Sequence, residues 1–342
     1  MAILLRGVNG TNRRGQIVSQ HRCHYKDHNG EQCDLEAGQS GLCFWHDPTS
    51  SKEGDEIASQ LQQVASEGHS LEGFSLRRAN LRGINLVKKG SREGYNLTYA
   101  DLYHADLSEA HLFGADLRHA SLMKADLCGA NIHLSNLKDA NLLGIKLDGT
   151  KLDNVIWGDL ILQEKQASAP SQRLPREQQQ DYLQQAEEIY RTLRLETESQ
   201  GLFQTAGRFF RKEMTMRRLQ MPVYSIERNI SALVDLFCGY GELPLRVLSF
   251  SLIIILFCGI LYNIIGLGDA GGYLGWQVGV GLKQNLLTLL ECLYFSIITF
   301  TTLGYGDLVP VGYSRVVAAV EAFVGAFTIA LFVVVFVKKM TR

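Results

Sequence analysis

Leucine recurs at every fifth residue through a long stretch of this 342-residue chain. The series is Leu71, Leu76, Leu81 and Leu86, then, after a six-residue slip, Leu97, Leu102, Leu107, Leu112, Leu117, Leu122, Leu127, Ile132, Leu137, Leu142, Leu147 and Leu152. Two positions before most of these stands a small residue: Ala79, Ala100, Ala105, Ala110, Ala115, Ala120, Ala125, Ala130 and Ala140. A period of five matches neither the 3.6 of a helix nor the 2 of a strand. It suits a solenoid that turns a corner at each repeat, with leucine inside and only a small side chain fitting the narrow second interior row.

Written as A-(D/N)-L-x-x, this pattern resembles the pentapeptide-repeat family. The resemblance implies a right-handed quadrilateral β-helix with four repeats per coil. Sixteen repeats over residues 71–157 then make four coils, a rod of about 19 Å at ~4.8 Å per coil, with residues 87–96 bulging from it. Some relatives mimic DNA with an acidic surface, but residues 71–157 carry eleven Lys+Arg against ten Asp+Glu. A spacer or oligomerisation platform is expected instead, with its cytosolic ligand or protein partner unidentified.

Over the whole chain, 34 Lys+Arg nearly balance 35 Asp+Glu, and the mean hydropathy is −0.02. That excludes a basic nucleic-acid binder, an acidic disordered tail and a collagen-like chain. The average hides a segregation, because apolar residues concentrate near the C-terminus. Residues 247–267 and 316–337 are apolar runs near the ~20 residues that cross a bilayer core. Between them, residues 286–300 are apolar but too short to span, as in a re-entrant helix. Arg211, Lys212, Arg217, Arg218, Arg228 and Arg246 precede the first run, and Lys338, Lys339 and Arg342 follow the second. The positive-inside bias therefore places both termini in the cytoplasm, with the chain multi-pass in a cell (inner) membrane.

After the short apolar segment come Thr301, Thr302, Leu303, Gly304, Tyr305, Gly306 and Asp307. Here residues 247–337 resemble the two-span potassium-channel pore module, whose filter reads T-V/I/L-G-Y-G-D. A dehydrated cation needs a cage of oxygens, and backbone carbonyls supply it where glycines permit unusual backbone angles. The resemblance implies K⁺ as the permeant ion. Its sites would be the carbonyls of Thr302, Leu303, Gly304 and Tyr305 and the Thr302 hydroxyl, with Gly306 closing the filter. One chain supplies a quarter of the cage, which requires a homotetramer in the lipid bilayer. Thr301 and Asp307 flank the filter, and Tyr294 and Phe295 take the places of the family's aromatic cuff, Tyr294 within reach of a hydrogen bond to Asp307. Where some members pair a glutamate with that aspartate, this chain has Ile298. Gly325 matches the inner-helix hinge, although close helix packing explains a glycine equally well. Ile329, Val333 and Val337 recur on one face as an apolar gate. Glu321, the ionisable residue within the second run, is either functional or paired behind the filter. No Arg-rich span precedes the pore, so no voltage sensor is expected.

Cys23, Cys33, Cys43 and His46 have the spacing C-x9-C-x9-C-x2-H. Three thiolates and an imidazole make a standard tetrahedral zinc set, resembling a zinc knuckle with Gly41 before the tight pair. Unligated cysteines are the other reading, and His21, His24 and His28 are alternative ligands. With seven cysteines in all and no secretory signal ahead of them, an extracellular disulfide framework is not expected. A closed four-ligand site argues for structure over hydrolysis, so no enzyme is expected.

The expected organisation is a multi-domain membrane protein: residues 1–50 a zinc-binding-like segment, 51–70 a linker helix, 71–157 the β-helix and 158–175 a linker. Residues 176–221 follow as a helical hairpin weakly resembling a tetratricopeptide pair, and 224–240 as an interfacial helix. An all-α pore closes the chain, with spans at 247–267 and 313–338 around a pore helix and filter at 285–307. Because the second span lies near the end of the sequence, cytoplasmic gating signals are expected to enter through the hairpin and interfacial helix. The leading expectation is a homotetrameric potassium channel, bacterial by the repeat resemblance. Its alternatives are a poorly selective cation channel and a membrane-anchored repeat scaffold.

Overall fold

The computed structural model describes residues 22–88, 90–168, 175–269, 272–277 and 279–341. The chain divides into two compact units, Met1–Phe209 and Phe210–Arg342.

In the first unit the repeats stack at twenty-residue intervals, through parallel bridges such as Asn96↔Asp116, Asp101↔Ser121 and Asn136↔Ile156. The three earliest bridges, from Ser75↔Asp101 to Asn85↔His111, span the six-residue slip. Each corner is a tight turn in which the N–H three residues after the leucine returns to the leucine carbonyl, as from Ala120 to Leu117 at 3.1 Å. The second residue after the leucine has positive φ, for example Tyr99 at 59° and His119 at 59°, as a type II turn requires. The Asp or Asn before the leucine holds the corner by a side-chain turn: the Tyr103 N–H donates to Asp101 Oδ1 at 3.1 Å and the His133 N–H to Asn131 Oδ1 at 3.2 Å. Leu107, Leu117, Leu122 and Leu127 and the alanine row are buried.

The expected right-handed quadrilateral β-helix needs correcting. With each corner taking up most of a repeat, only isolated single-residue bridges remain and no strand forms among the described repeats. Among the described residues the strands are three short antiparallel ones outside the repeats, and helices dominate the secondary structure.

Both ends of the repeat stack are covered. At the start, the Ser75 N–H donates to Trp45 O at 2.8 Å, Trp45 stacks on Phe74 at 5.7 Å, and the helix α1 (Ile57–Ser66) follows from Trp45. Beyond its end come α2 (Leu162–Ser168), within the stretch expected to be a linker, and α3 (Arg176–Ser199). Gln200 Oε1 accepts from the Leu152 N–H at 3.1 Å and Glu196 Oε1 from the Gly149 N–H at 3.1 Å, so the end of α3 satisfies donors of the last coil. The Tyr190 hydroxyl donates to Glu164, tying α3 to α2. The helix α4 (Phe203–Gln220) contains the boundary between the units.

In the second unit, α5 (Ile226–Cys238) is capped by the Ser225 hydroxyl, which accepts from the Arg228 N–H, and stopped by left-handed Gly239. The helix α6 (Pro244–Ile265) leads into β1 (Leu267–Asp269), which pairs with β2 (Gly272–Leu274) and with β3 (Val309–Pro310) in the order β2-β1-β3. Between β2 and β3 lies α7 (Leu282–Phe300), and α8 (Ser314–Met340) ends the unit. The helices α6 and α8 are long and apolar enough to cross a membrane, and both pack on α7. Cys258, Tyr262, Leu267, Cys292, Phe295, Ile298 and Ala318 form their shared core.

Candidate functional site

Two constellations stand out, one in each unit. In the second unit, the C-terminal turn of α7 does not run on as helix. The Leu303 and Gly304 N–H groups both turn back to the Ile298 carbonyl, at 2.9 and 3.3 Å. Thr302, Gly304 and Gly306 take positive φ, at 59°, 52° and 80°, in alternation with Leu303 and Tyr305. With the amides of Leu303 and Gly304 drawn toward α7, no donor among the described residues reaches the carbonyls of Thr302, Leu303, Gly304 or Tyr305. The Leu303 and Tyr305 side chains are exposed in the single chain. Uncompensated carbonyls at the end of α7 concentrate partial negative charge.

The flanking residues fix this segment. The Tyr294 hydroxyl donates to Asp307 Oδ2 at 2.9 Å, bridging α7 to the far side of the turn. Thr301 stays with the helix, its hydroxyl on Ile297 O at 2.7 Å. Phe295 packs edge-on to Tyr262 at 4.9 Å, and Ile298 is buried beside it. Immediately beyond, β3 pairs with β1.

Glu321 is paired behind this segment. It is 2% exposed and accepts the Tyr262 hydroxyl at 2.6 Å, with the Ser296 hydroxyl on its other oxygen. One carboxylate thus joins α6, α7 and α8. Its partners escaped sequence reasoning because Tyr262 and Ser296 are ordinary residues in apolar runs, and only the fold brings them to Glu321. One turn along α8, Gly325 meets the end of α7 so closely that a Cβ there would lie 2.0 Å from Phe300 O. This close approach gives the glycine a packing reason. Ile329, Val333 and Val337 lie farther along α8 with exposed side chains.

In the first unit, a short hairpin bridged at Arg22↔Glu36 and Lys26↔Gln32 brings Cys23 and Cys33 together. A tight turn then returns the His46 N–H to Cys43 O at 3.1 Å. The result is one cluster: the ligand atoms of Cys23, Cys33, Cys43 and His46 all lie within 4.8 Å of one another. His46 Nδ1 is 3.2 Å from Cys43 Sγ and 3.6 Å from Cys23 Sγ, and the Cys43 N–H points at Cys23 Sγ from 3.1 Å. His46 Nε2 donates to Glu72 O at 2.9 Å, the outer-shell bond that orients a ligating imidazole. Tyr25 stacks on that ring at 3.8 Å. A hydrogen bond from the Cys33 thiol, helped by His46, holds the Cys43 thiol well below its ordinary value against its burial, and the same bond pushes Cys33 up. Three sulfurs and an oriented imidazole fit a tetrahedral metal.

The alternative histidines lie elsewhere. His24 packs against Gly41, whose positive φ and close contact with that ring exclude a Cβ. His28 bonds Glu72 instead of the sulfurs, and His21 falls outside the described residues.

Residues 247–342 match the family model described as ion channel. Residues 96–129 and 115–154 match pentapeptide repeats, in eight copies. Neither family is catalytic. Among solved structures the chain is similar to a pentapeptide repeat protein from Nostoc PCC 7120, at 28% identity and TM-score 0.21 over 32% of this chain and 90% of that one. It is also similar to HetL from the same cyanobacterium, at 32% identity and TM-score 0.14 over 25% of this chain and 50% of that one. A third is a pentapeptide repeat protein from Cyanothece 51142, at 27% identity and TM-score 0.16 over 31% of this chain and 98% of that one. No curated protein matches.

Proposed function

We propose that this chain, a pentapeptide-repeat domain fused to a two-helix ion-channel domain, assembles as a homotetramer and conducts K⁺ passively across a cell membrane. The observation that carries this reading is the turn at the end of α7, where alternating positive φ and back-turned amides leave the carbonyls of Thr302, Leu303, Gly304 and Tyr305 without donors. Such carbonyls replace an ion's hydration shell once four copies face one axis. Gly304 and Gly306 supply the backbone freedom, Thr301 and Asp307 flank the filter, and Tyr294 and Phe295 brace it. Ile329, Val333 and Val337 form the apolar constriction that closes the pore, and both termini face the cytoplasm.

Cys23, Cys33, Cys43 and His46 hold Zn²⁺ as a structural cross-link, with all four positions taken by protein. The zinc ties a hairpin too short for a core of its own to the turn that carries Cys43 and His46, and His46 in turn reaches the first repeats through Glu72 O.

The test is reconstitution in liposomes with a K⁺ gradient. The purified tetramer should carry K⁺ flux, and Gly304→Ala, assembled to the same mass, should lose it. A wild-type tetramer that carries no flux would return the chain to a membrane-anchored scaffold.

A further inference from the structure

Next to the sulfur cluster lies a second group of ligand-type side chains with an opening of its own. Asp27 and His28 occupy the hairpin tip, and Glu72 begins the repeats. The ligand atoms of these three residues lie within 4.8 Å of one another.

Each is held in place. Asp27 Oδ1 accepts the N–H groups of Asn29 at 3.0 Å and Glu31 at 2.7 Å, which fixes the carboxylate and leaves Oδ2. Glu72 Oε1 accepts the His28 N–H at 2.9 Å, and Oε2 the Asn96 amide at 3.2 Å. His28 Nδ1 stands 2.8 Å from Glu72 Oε1, near the ~3 Å separating neighbouring ligands on an ion with ~2.1 Å bonds.

Glu72 is 2% exposed, and among the described residues its ion-pair contact is with His28 Nδ1 at 2.8 Å, not with a lysine or arginine. A metal ion held on this group would supply the compensating charge that a buried carboxylate ordinarily has. A cavity of about 440 Å³, lined by Asp27, His28 and Glu72 together with Tyr25, Lys26, Gly73 and Tyr99, opens onto the three ligands. It leaves room for waters to complete a coordination shell.

We propose that Asp27, His28 and Glu72 form a second, open site for a divalent transition-metal ion. Its nitrogen and oxygen donors favour a harder ion than the thiolate cluster takes. Through the Glu72 backbone carbonyl, which accepts from His46 Nε2, the open site adjoins the closed one.

The test titrates Mn²⁺ into the full-length, zinc-loaded protein in detergent and reads free Mn²⁺ by electron paramagnetic resonance. Mn²⁺ is the probe because thiolates discriminate against it. The wild type should bind one saturable Mn²⁺ per chain. The Asp27→Asn/His28→Ala variant should bind at least about tenfold more weakly while keeping its zinc content and melting midpoint. Tyr99→Phe, which lines the cavity without supplying a ligand, should bind as the wild type does. His28→Gln alone serves if the double variant loses zinc. Equal binding by the wild type and the ligand variants, or no saturable Mn²⁺ on the wild type, would overturn the site.

Discussion

Cys128 sits on the outer side of the repeats between Asp126 and Asp148, its Sγ 3.8 Å from Asp148 Oδ2. Partial burial and then a hydrogen bond with Asp126 push its thiol up to about 11. A raised pKa leaves little thiolate at neutral pH, so iodoacetamide should label Cys128 slowly at pH 7.5 and progressively faster toward pH 11. Asp126→Asn removes part of the cause and should speed labelling at pH 8. Mass spectrometry reads both, and a wild-type rate equal to that of an ordinary exposed cysteine would contradict the assignment. Inside the repeats, Leu117→Ala opens a cavity at a fully buried position. It should cost about 3 kcal/mol, seen as faster amide exchange across the neighbouring coils. The leucine and alanine rows were legible because each answers to burial alone. The Asp and Asn positions were legible only as a pattern, since their work, accepting the N–H two residues on, appears with the turn. Ser135 and Thr150 break the alanine row for a reason only contacts disclose: their hydroxyls donate to Leu112 O and Leu127 O, both at 2.7 Å.

At the scale of elements, α6, α7 and α8 meet at Glu321 and Gly325. Glu321→Ala leaves the Tyr262 hydroxyl without its acceptor, while the Ser296 hydroxyl keeps Ile255 O at 2.9 Å, and should lower stability by roughly 1–3 kcal/mol. Glu321→Gln keeps an acceptor oxygen and should fall between that variant and the wild type. Thermal unfolding in detergent ranks the three, and an alanine variant as stable as the wild type would show that the carboxylate does not hold the helices. Gly325→Ala forces α8 away from Phe300 O and should cost about 1–3 kcal/mol. If it left the melting midpoint unchanged, the close packing would not explain the glycine. The sequence marked Glu321 by its rarity in an apolar run. Its partners could not be read, because pairing α6 with α8 is a product of tertiary structure. The β-helix expectation failed at this scale too. The five-residue period reports corners and interior rows correctly, yet corners so close together leave no length for strands.

For the whole molecule, the near-zero net charge and hydropathy are sums over a polar repeat unit and an apolar channel unit, which is why neither average identifies the chain. Zinc removal should act locally. A chelator should make residues 22–50 protease-sensitive while residues 97–156, held by their own stack, stay protected. Protection of both segments after complete metal loss would contradict a structural metal. The proposed selective K⁺ conduction through the carbonyls after α7 is decided by the reversal potential of the reconstituted tetramer with K⁺ on one side of a planar bilayer and Na⁺ on the other. That potential should be strongly displaced from zero and track the K⁺ gradient. Currents reversing near zero would contradict it.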